Sequence, residues 1–219
     1  MNFRVIGRVL ILAHTSIAVA LADTAVAQVD VIRTDELEQC QRGATMLELK
    51  LKSCTAVIED TSRIPEVRAE AYLHRGIAHE ELGDIASALK DFTDGLKLNP
   101  ASRMLYHRRG LAYDQEGKRD LAIADFSQAI RLDPKDVDAL IYRGLSYAAE
   151  GNHDRAILDY DAALAEDPED AIVMAIRGES REVLGDHENA IADYRRALEL
   201  DPDNEAAEAG LARLGAKHK

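Results

Sequence analysis

The sequence lacks the short motifs that usually mark a catalytic or cofactor-binding site. It contains no Gly-x-Ser-x-Gly, no phosphate-binding glycine loop, no His-Glu-x-x-His and no Cys-x-x-Cys. His74 and His79 are five residues apart, so on a helix they diverge too far to share a metal ion. These absences disfavour an enzyme, and we expect neither a cofactor nor a metal.

Long apolar runs are equally scarce, and the one present lies at the N-terminus. Two arginines precede an apolar run from Val9 to about Leu21, and the small residues ending at Ala27 fit a signal-peptidase site. The run is short for a membrane span, and no later segment approaches 18 apolar residues. We predict that residues 1–27 are a signal peptide, cleaved after about Ala27, and that the mature chain does not insert into a membrane. An N-terminal anchor that is kept is the alternative.

Cysteine is limited to Cys40 and Cys54, and neither lies at the cleavage site, which disfavours a lipoprotein. In an oxidising compartment, two such cysteines form a disulfide more often than a metal site or a nucleophile. The chain also has no Asn-x-Ser/Thr sequon, so a eukaryotic glycoprotein is disfavoured. The predicted location is therefore a bacterial periplasm.

Acidic residues outnumber basic ones: the sequence contains 40 Asp and Glu residues and 27 Lys and Arg residues, which gives a net charge of −13. Phosphate groups would be repelled, which disfavours nucleic acid and anionic membranes as partners. The acidity permits a basic partner.

What the chain does contain is a 34-residue repeat in four copies, 69–102, 103–136, 137–170 and 171–204. The eighth position is Gly76, Gly110, Gly144 or Gly178, and the fifteenth is Gly83, Gly117, Gly151 or Gly185. The twentieth position is Ala88, Ala122, Ala156 or Ala190, and the twenty-fourth is Phe92, Phe126, Tyr160 or Tyr194. A proline closes each copy near its end.

Each copy reads as a helix, a tight turn and an antiparallel helix. A glycine inside a helix costs about 1 kcal/mol relative to alanine, so the eighth position indicates close approach of another helix. The fifteenth position suits the left-handed residue that ends a helix. The alanine and the aromatic residue lie one turn apart on one face, and stacked pairs bury a core that one pair cannot.

Charged residues follow the repeat as well, with arginine at the seventh position and aspartate at the twenty-third. These are Arg75, Arg109, Arg143 and Arg177, and Asp91, Asp125, Asp159 and Asp193. The arginines could form an anion-binding ladder, or each could pair with an aspartate across the two helices. The constant offset favours the pairs.

Residues 69–204 resemble the tetratricopeptide repeat (TPR) family, which implies an all-α, right-handed superhelical solenoid. The eleventh position, usually a large residue in the family, is Tyr113 and Tyr147 in the middle copies but His79 and Arg181 in the outer ones. Residues 205–219 read as a capping helix and a tail.

The segment 28–68 is predicted to be a degenerate N-terminal helix pair. "CTAVIED" resembles the second-helix sequence "FTDGLKL", with Cys54 in the place of the aromatic residue. Secreted bacterial TPR proteins often begin with such a cysteine-bearing pair, which implies a Cys40–Cys54 disulfide joining its two helices.

The resemblance also implies a concave groove lined by positions 2, 5, 6, 9, 12 and 13 of the first helices. Its predicted floor consists of the apolar residues Leu73, Ile77, Leu111, Ile141, Tyr142, Leu145 and Ile176 together with His107, and its acidic rim of Glu80, Glu81, Asp114, Glu179 and Glu182. The Lys and Asn residues with which some TPR co-chaperones bind a terminal carboxylate are absent. We expect a non-catalytic scaffold that binds a peptide or helix of another protein, and the acidic rim favours a partner with basic residues. The alternative is a self-associating structural protein of the cell envelope, that is, a homo-oligomer.

Overall fold

A computed structural model of the protein describes residues 36–41 and 47–217. The predicted signal peptide lies outside the described residues. The described residues contain helices and turns but no strand. The helices are α1 (36–41), α2 (Leu47–Glu59), α3 (Pro65–Glu81), α4 (Ile85–Leu98), α5 (Arg103–Gln115), α6 (Arg119–Leu132), α7 (Val137–Ala149), α8 (His153–Glu166), α9 (Ala171–Val183), α10 (His187–Leu200) and α11 (Glu205–Arg213). Within these ranges, no helix is both long and apolar enough to cross a bilayer.

The helices from α3 to α10 pack as four consecutive pairs, and each pair also packs on the next. Within a pair, the short turn contains the glycine of the fifteenth position with φ between 71° and 79°. This left-handed conformation disfavours any residue with a Cβ atom, which explains why glycine recurs there. The predicted helix-ending role of these four glycines is confirmed.

The glycine of the eighth position lets the two helices of a pair approach. A Cβ atom placed on Gly144 would lie 2.5 Å from Cε1 of Tyr160, which is closer than side-chain atoms pack. In the other pairs, the corresponding glycine faces Phe92, Phe126 or Tyr194 in the same way. The four aromatic rings are almost completely buried, so the predicted packing reason for these glycines is confirmed.

The arginine of the seventh position joins the two helices of each pair. Arg143 on α7 donates from Nε and Nη2 to the two carboxylate oxygens of Asp159 on α8, at 2.9 and 2.7 Å. Its remaining nitrogen, Nη1, donates to Oγ of Ser127 on α6, at 3.0 Å, and so reaches the preceding pair. The other arginines bind their aspartates in the same bidentate way, and their Nη1 atoms reach Thr55, Thr93 and Asp161. The predicted ion pairs are confirmed, and the anion-binding ladder is wrong because the guanidinium groups are already engaged.

The N-terminal helices continue this stack. Cys40 on α1 and Cys54 on α2 form a disulfide with an S–S distance of 2.18 Å, and both side chains are buried. Arg75 donates to Thr55 at 3.0 Å, just as Arg109 donates to Thr93 at 3.2 Å. Thr55 therefore occupies the place that Thr93 occupies one pair later, in keeping with the likeness between "CTAVIED" and "FTDGLKL".

The last described helix, α11, packs against both helices of the last pair. Gly210 lies directly against the ring of Tyr194, where a Cβ atom would collide with it. Asn204 accepts a hydrogen bond from the Ala207 amide at 3.0 Å and so caps the start of this helix. The short helix thereby covers the apolar end of the solenoid.

Replacing Gly144 with leucine is expected to destabilise the protein by more than about 2 kcal/mol, because the new side chain would overlap the Tyr160 ring. Lys135→Leu introduces the same side chain at an exposed position and serves as the control. Urea unfolding followed by circular dichroism measures both changes. Equal stability of the two variants would contradict the close helix approach.

Candidate functional site

The first helices of the pairs share one face, and α5 contacts both α3 and α7 there. The predicted groove residues divide by exposure on this face. Tyr142 and Leu145 are each 39% exposed, while His107 is buried. Leu73, Ile77, Leu111, Ile141 and Ile176 are half-buried.

Most of the half-buried residues contribute to the core as well as to the face. Leu73 and Ile77 pack against the cluster that contains Phe92. Ile141 and Ile176 pack against the cluster around Tyr160 and Tyr194. Packing between neighbouring helices therefore accounts for much of their apolar character, and Tyr142 and Leu145 offer more surface to a partner.

A pocket of about 330 Å³ lies between α5 and α7. Its lining residues are Arg103, Met104, His107, Arg108, Leu111, Asp138 and Tyr142. It brings together three predicted residues, His107, Leu111 and Tyr142. Met104, Arg108 and Asp138 lie at the groove positions 2 and 6, although they are not among the predicted floor and rim residues. Arg103 lies at the first position of its copy, where the groove pattern gave no signal.

The floor of the pocket is aromatic. The His107 ring lies edge-on to Phe126 and to Tyr142, with centroids 5.8 and 5.5 Å away, and Tyr142 stacks on Phe126 at 5.9 Å. Burial lowers the pKa of His107 below its ordinary value, although Asp136 and Asp138 oppose the shift. The imidazole is therefore mainly neutral at neutral pH, and the floor carries no charge.

The two arginines of the pocket both face carboxylates. Nη1 of Arg103 donates to Asp136 at 2.6 Å, and Asp136 is buried. Nη1 of Arg108 lies 3.7 Å from Oε2 of Glu80. Burial raises the pKa of Glu80, although Arg108 opposes the shift. Both guanidinium charges are thus at least partly neutralised from within the chain.

Asp138 differs, because it is exposed and no described residue forms an ion pair with it. The predicted rim residues Glu81, Asp114 and Glu179 are likewise exposed and make no ion pair within the described part of the chain. Glu182, at the twelfth position of the last copy, differs from these rim residues because other side chains of the protein already bind its carboxylate. It accepts two hydrogen bonds of 2.9 Å from Arg213 and one of 2.7 Å from the Tyr194 hydroxyl.

Among residues 36–41 and 47–217, no group of three or more His, Cys, Asp or Glu side chains could hold a metal ion. What the face offers is an apolar and aromatic surface with carboxylates beside it, which suits non-covalent recognition.

Family models described as tetratricopeptide repeats match residues 69–102, 107–171 and 151–205, which together exceed half of the chain. The chain belongs to the tetratricopeptide repeat family. Its fold is accordingly the all-α, right-handed superhelical solenoid of that family.

Several solved structures are similar to this TPR chain. A crystal structure of MamA is 22% identical and gives a TM-score of 0.67, over 75% of this chain and 93% of MamA. A crystal structure of YrrB, described as a TPR protein with an unusual peptide-binding site, is 23% identical with a TM-score of 0.67, over 76% of this chain and 84% of YrrB. A search among curated proteins gave no match. At these identities, the likeness establishes the fold alone.

Proposed function

We propose that this TPR protein is a non-catalytic scaffold that holds a peptide or a helix of a partner protein on the face formed by α3, α5, α7 and α9. The observation that carries the proposal is the exposed apolar surface of Tyr142 and Leu145 next to the pocket between α5 and α7. Exposed apolar patches commonly mark contact sites, and tyrosine is enriched among the residues that dominate binding. The peptide-binding site named for YrrB, which has the same fold, agrees with this function.

The charges of the face favour a partner with basic residues beside its apolar anchors. Glu81, Asp114, Asp138 and Glu179 are exposed carboxylates, whereas both pocket arginines face acids. The net charge of −13 has the same sign, so a nucleic acid is not the proposed partner.

The proposed location is the bacterial periplasm, after removal of residues 1–27. The disulfide between Cys40 and Cys54 supports an oxidising compartment, because disulfides rarely persist in the cytosol. N-terminal sequencing of protein from a periplasmic fraction should give a start near Gln28. A chain that still begins at Met1 would mean a retained anchor instead.

Replacing Tyr142 and Leu145 together with alanine should weaken capture of the natural partner about tenfold or more, because both apolar contacts are lost. The measurement is crosslinking and pull-down from a periplasmic extract, with the mature protein as bait, followed by titration of the purified partner. Circular dichroism should find the helicity unchanged.

Leu158→Ala is the matched control, because Leu158 is 67% exposed on the second helix α8. It should capture the partner as well as the unaltered protein does. If the double variant stays folded and binds the partner equally well, the face is not the site. If light scattering finds a stable dimer that only the double variant dissociates, the partner is a second copy of the chain.

A further inference from the structure

We propose that the pocket between α5 and α7 is a subsite for one lysine or arginine side chain of the partner, and that Asp138 selects it. The proposal rests on the proposed function, since it assigns a ligand group to one place in the groove. It concerns a single position of the bound segment, not its overall charge.

The shape of the pocket suits a long side chain with an apolar stem. Met104, Leu111 and Tyr142 line it, and Met104 and Tyr142 remain exposed in the free protein. Lysine and arginine cover such surfaces with their methylene groups while the charged end stays at a polar position. The ring of Tyr142 adds a face over which a cation is attracted.

The charge balance of the pocket decides the sign of the ligand group. Arg103 is bound to Asp136, with Asp133 3.9 Å away, and Arg108 faces Glu80. Two guanidinium groups therefore face three carboxylates before Asp138 is counted. Asp138 adds a fourth carboxylate, which interacts with Arg103 at longer range but forms no ion pair with a described residue. A cation entering the pocket would give Asp138 a direct partner.

A purely apolar anchor fits less well, because it would remove water from the Asp138 carboxylate without replacing its hydrogen bonds. An acidic ligand group would have to compete with the carboxylates that the two arginines already face, which are Asp136 and Asp133 for Arg103 and Glu80 for Arg108. An acidic group would also meet Asp138 at close range.

The test is a displayed library of random twelve-residue peptides, selected on the purified mature protein. The enriched peptides should carry Lys or Arg next to apolar residues. The tightest peptide should lose about tenfold or more in affinity, measured by fluorescence anisotropy, when its basic residue is replaced by norleucine. The variant Asp138→Asn should bind the two peptides with nearly equal affinity.

The matched control is Asp154→Asn, because Asp154 is an exposed acid in the first turn of α8 just as Asp138 is in the first turn of α7. The control should keep the tenfold preference. Loss of the preference in both variants would indicate a general charge effect and would overturn the assignment of Asp138.

Other outcomes also overturn the inference, and they separate it from the proposed function. The inference would be contradicted if the enriched peptides lacked a basic residue, if they carried an acidic residue in its place, or if no peptide were enriched. If enriched peptides without a basic residue lose affinity for the Tyr142→Ala, Leu145→Ala variant, the groove remains the binding site and only the basic subsite fails. If the double variant binds every selected peptide unchanged, the proposed function fails as well.

Discussion

The arginine at the seventh position of each copy holds three helices together. Arg143 on α7 binds the carboxylate of Asp159 on α8 with two hydrogen bonds and reaches Ser127 on α6 with a third. Asp159 is buried, so without the arginine it would be an uncompensated charge in the interior. The planar guanidinium group accepts only a narrow range of geometries, and it therefore fixes both the pairing within a copy and the stacking on the copy before it.

This constraint also determines which residues reach the groove. Successive residues of a helix are turned by about 100°, so directing Arg143 toward α6 and α8 rotates Tyr142 and Leu145 to other sides of α7. Both side chains are exposed, and Tyr142 lines the pocket with residues of α5. The same inward arginine occurs in every copy, which gives the first helices a common orientation. The recognition surface is thus a consequence of the internal ion pairs.

The sequence was sufficient for features that recur at a constant spacing. The glycines that face Tyr160 and its equivalents, the turn glycines and the arginine–aspartate pairs were all predictable, because four copies repeat each one at the same offset. The third hydrogen bond of each arginine was not predicted, since its acceptor varies among Thr55, Thr93, Ser127 and Asp161 and lies in the preceding helix pair.

The groove was harder to predict than the fold, because exposure depends on the distance between neighbouring helices. Position alone could not separate Ile141, which packs against the core, from Leu145, which is exposed. It also placed Glu182 beside the free rim acids, although Arg213 neutralises it. That contact joins α9 to the capping helix, and the repeat pattern does not extend to α11.

The central claim is that the bond of each seventh-position arginine to its buried aspartate and to the preceding helix fixes the helix stack, and unfolding free energies test it most directly. Arg143→Met should cost about 3–5 kcal/mol, because it leaves Asp159 buried without a partner, and adding Asp159→Leu should recover much of the loss. The control Lys135→Met removes an exposed ion pair to Glu166 that has a similar distance, 2.8 Å, and should change the stability by less than about 1 kcal/mol. If Arg143→Met lowered the unfolding free energy as little as Lys135→Met, the arginine–aspartate pairs would not determine the arrangement of the helices.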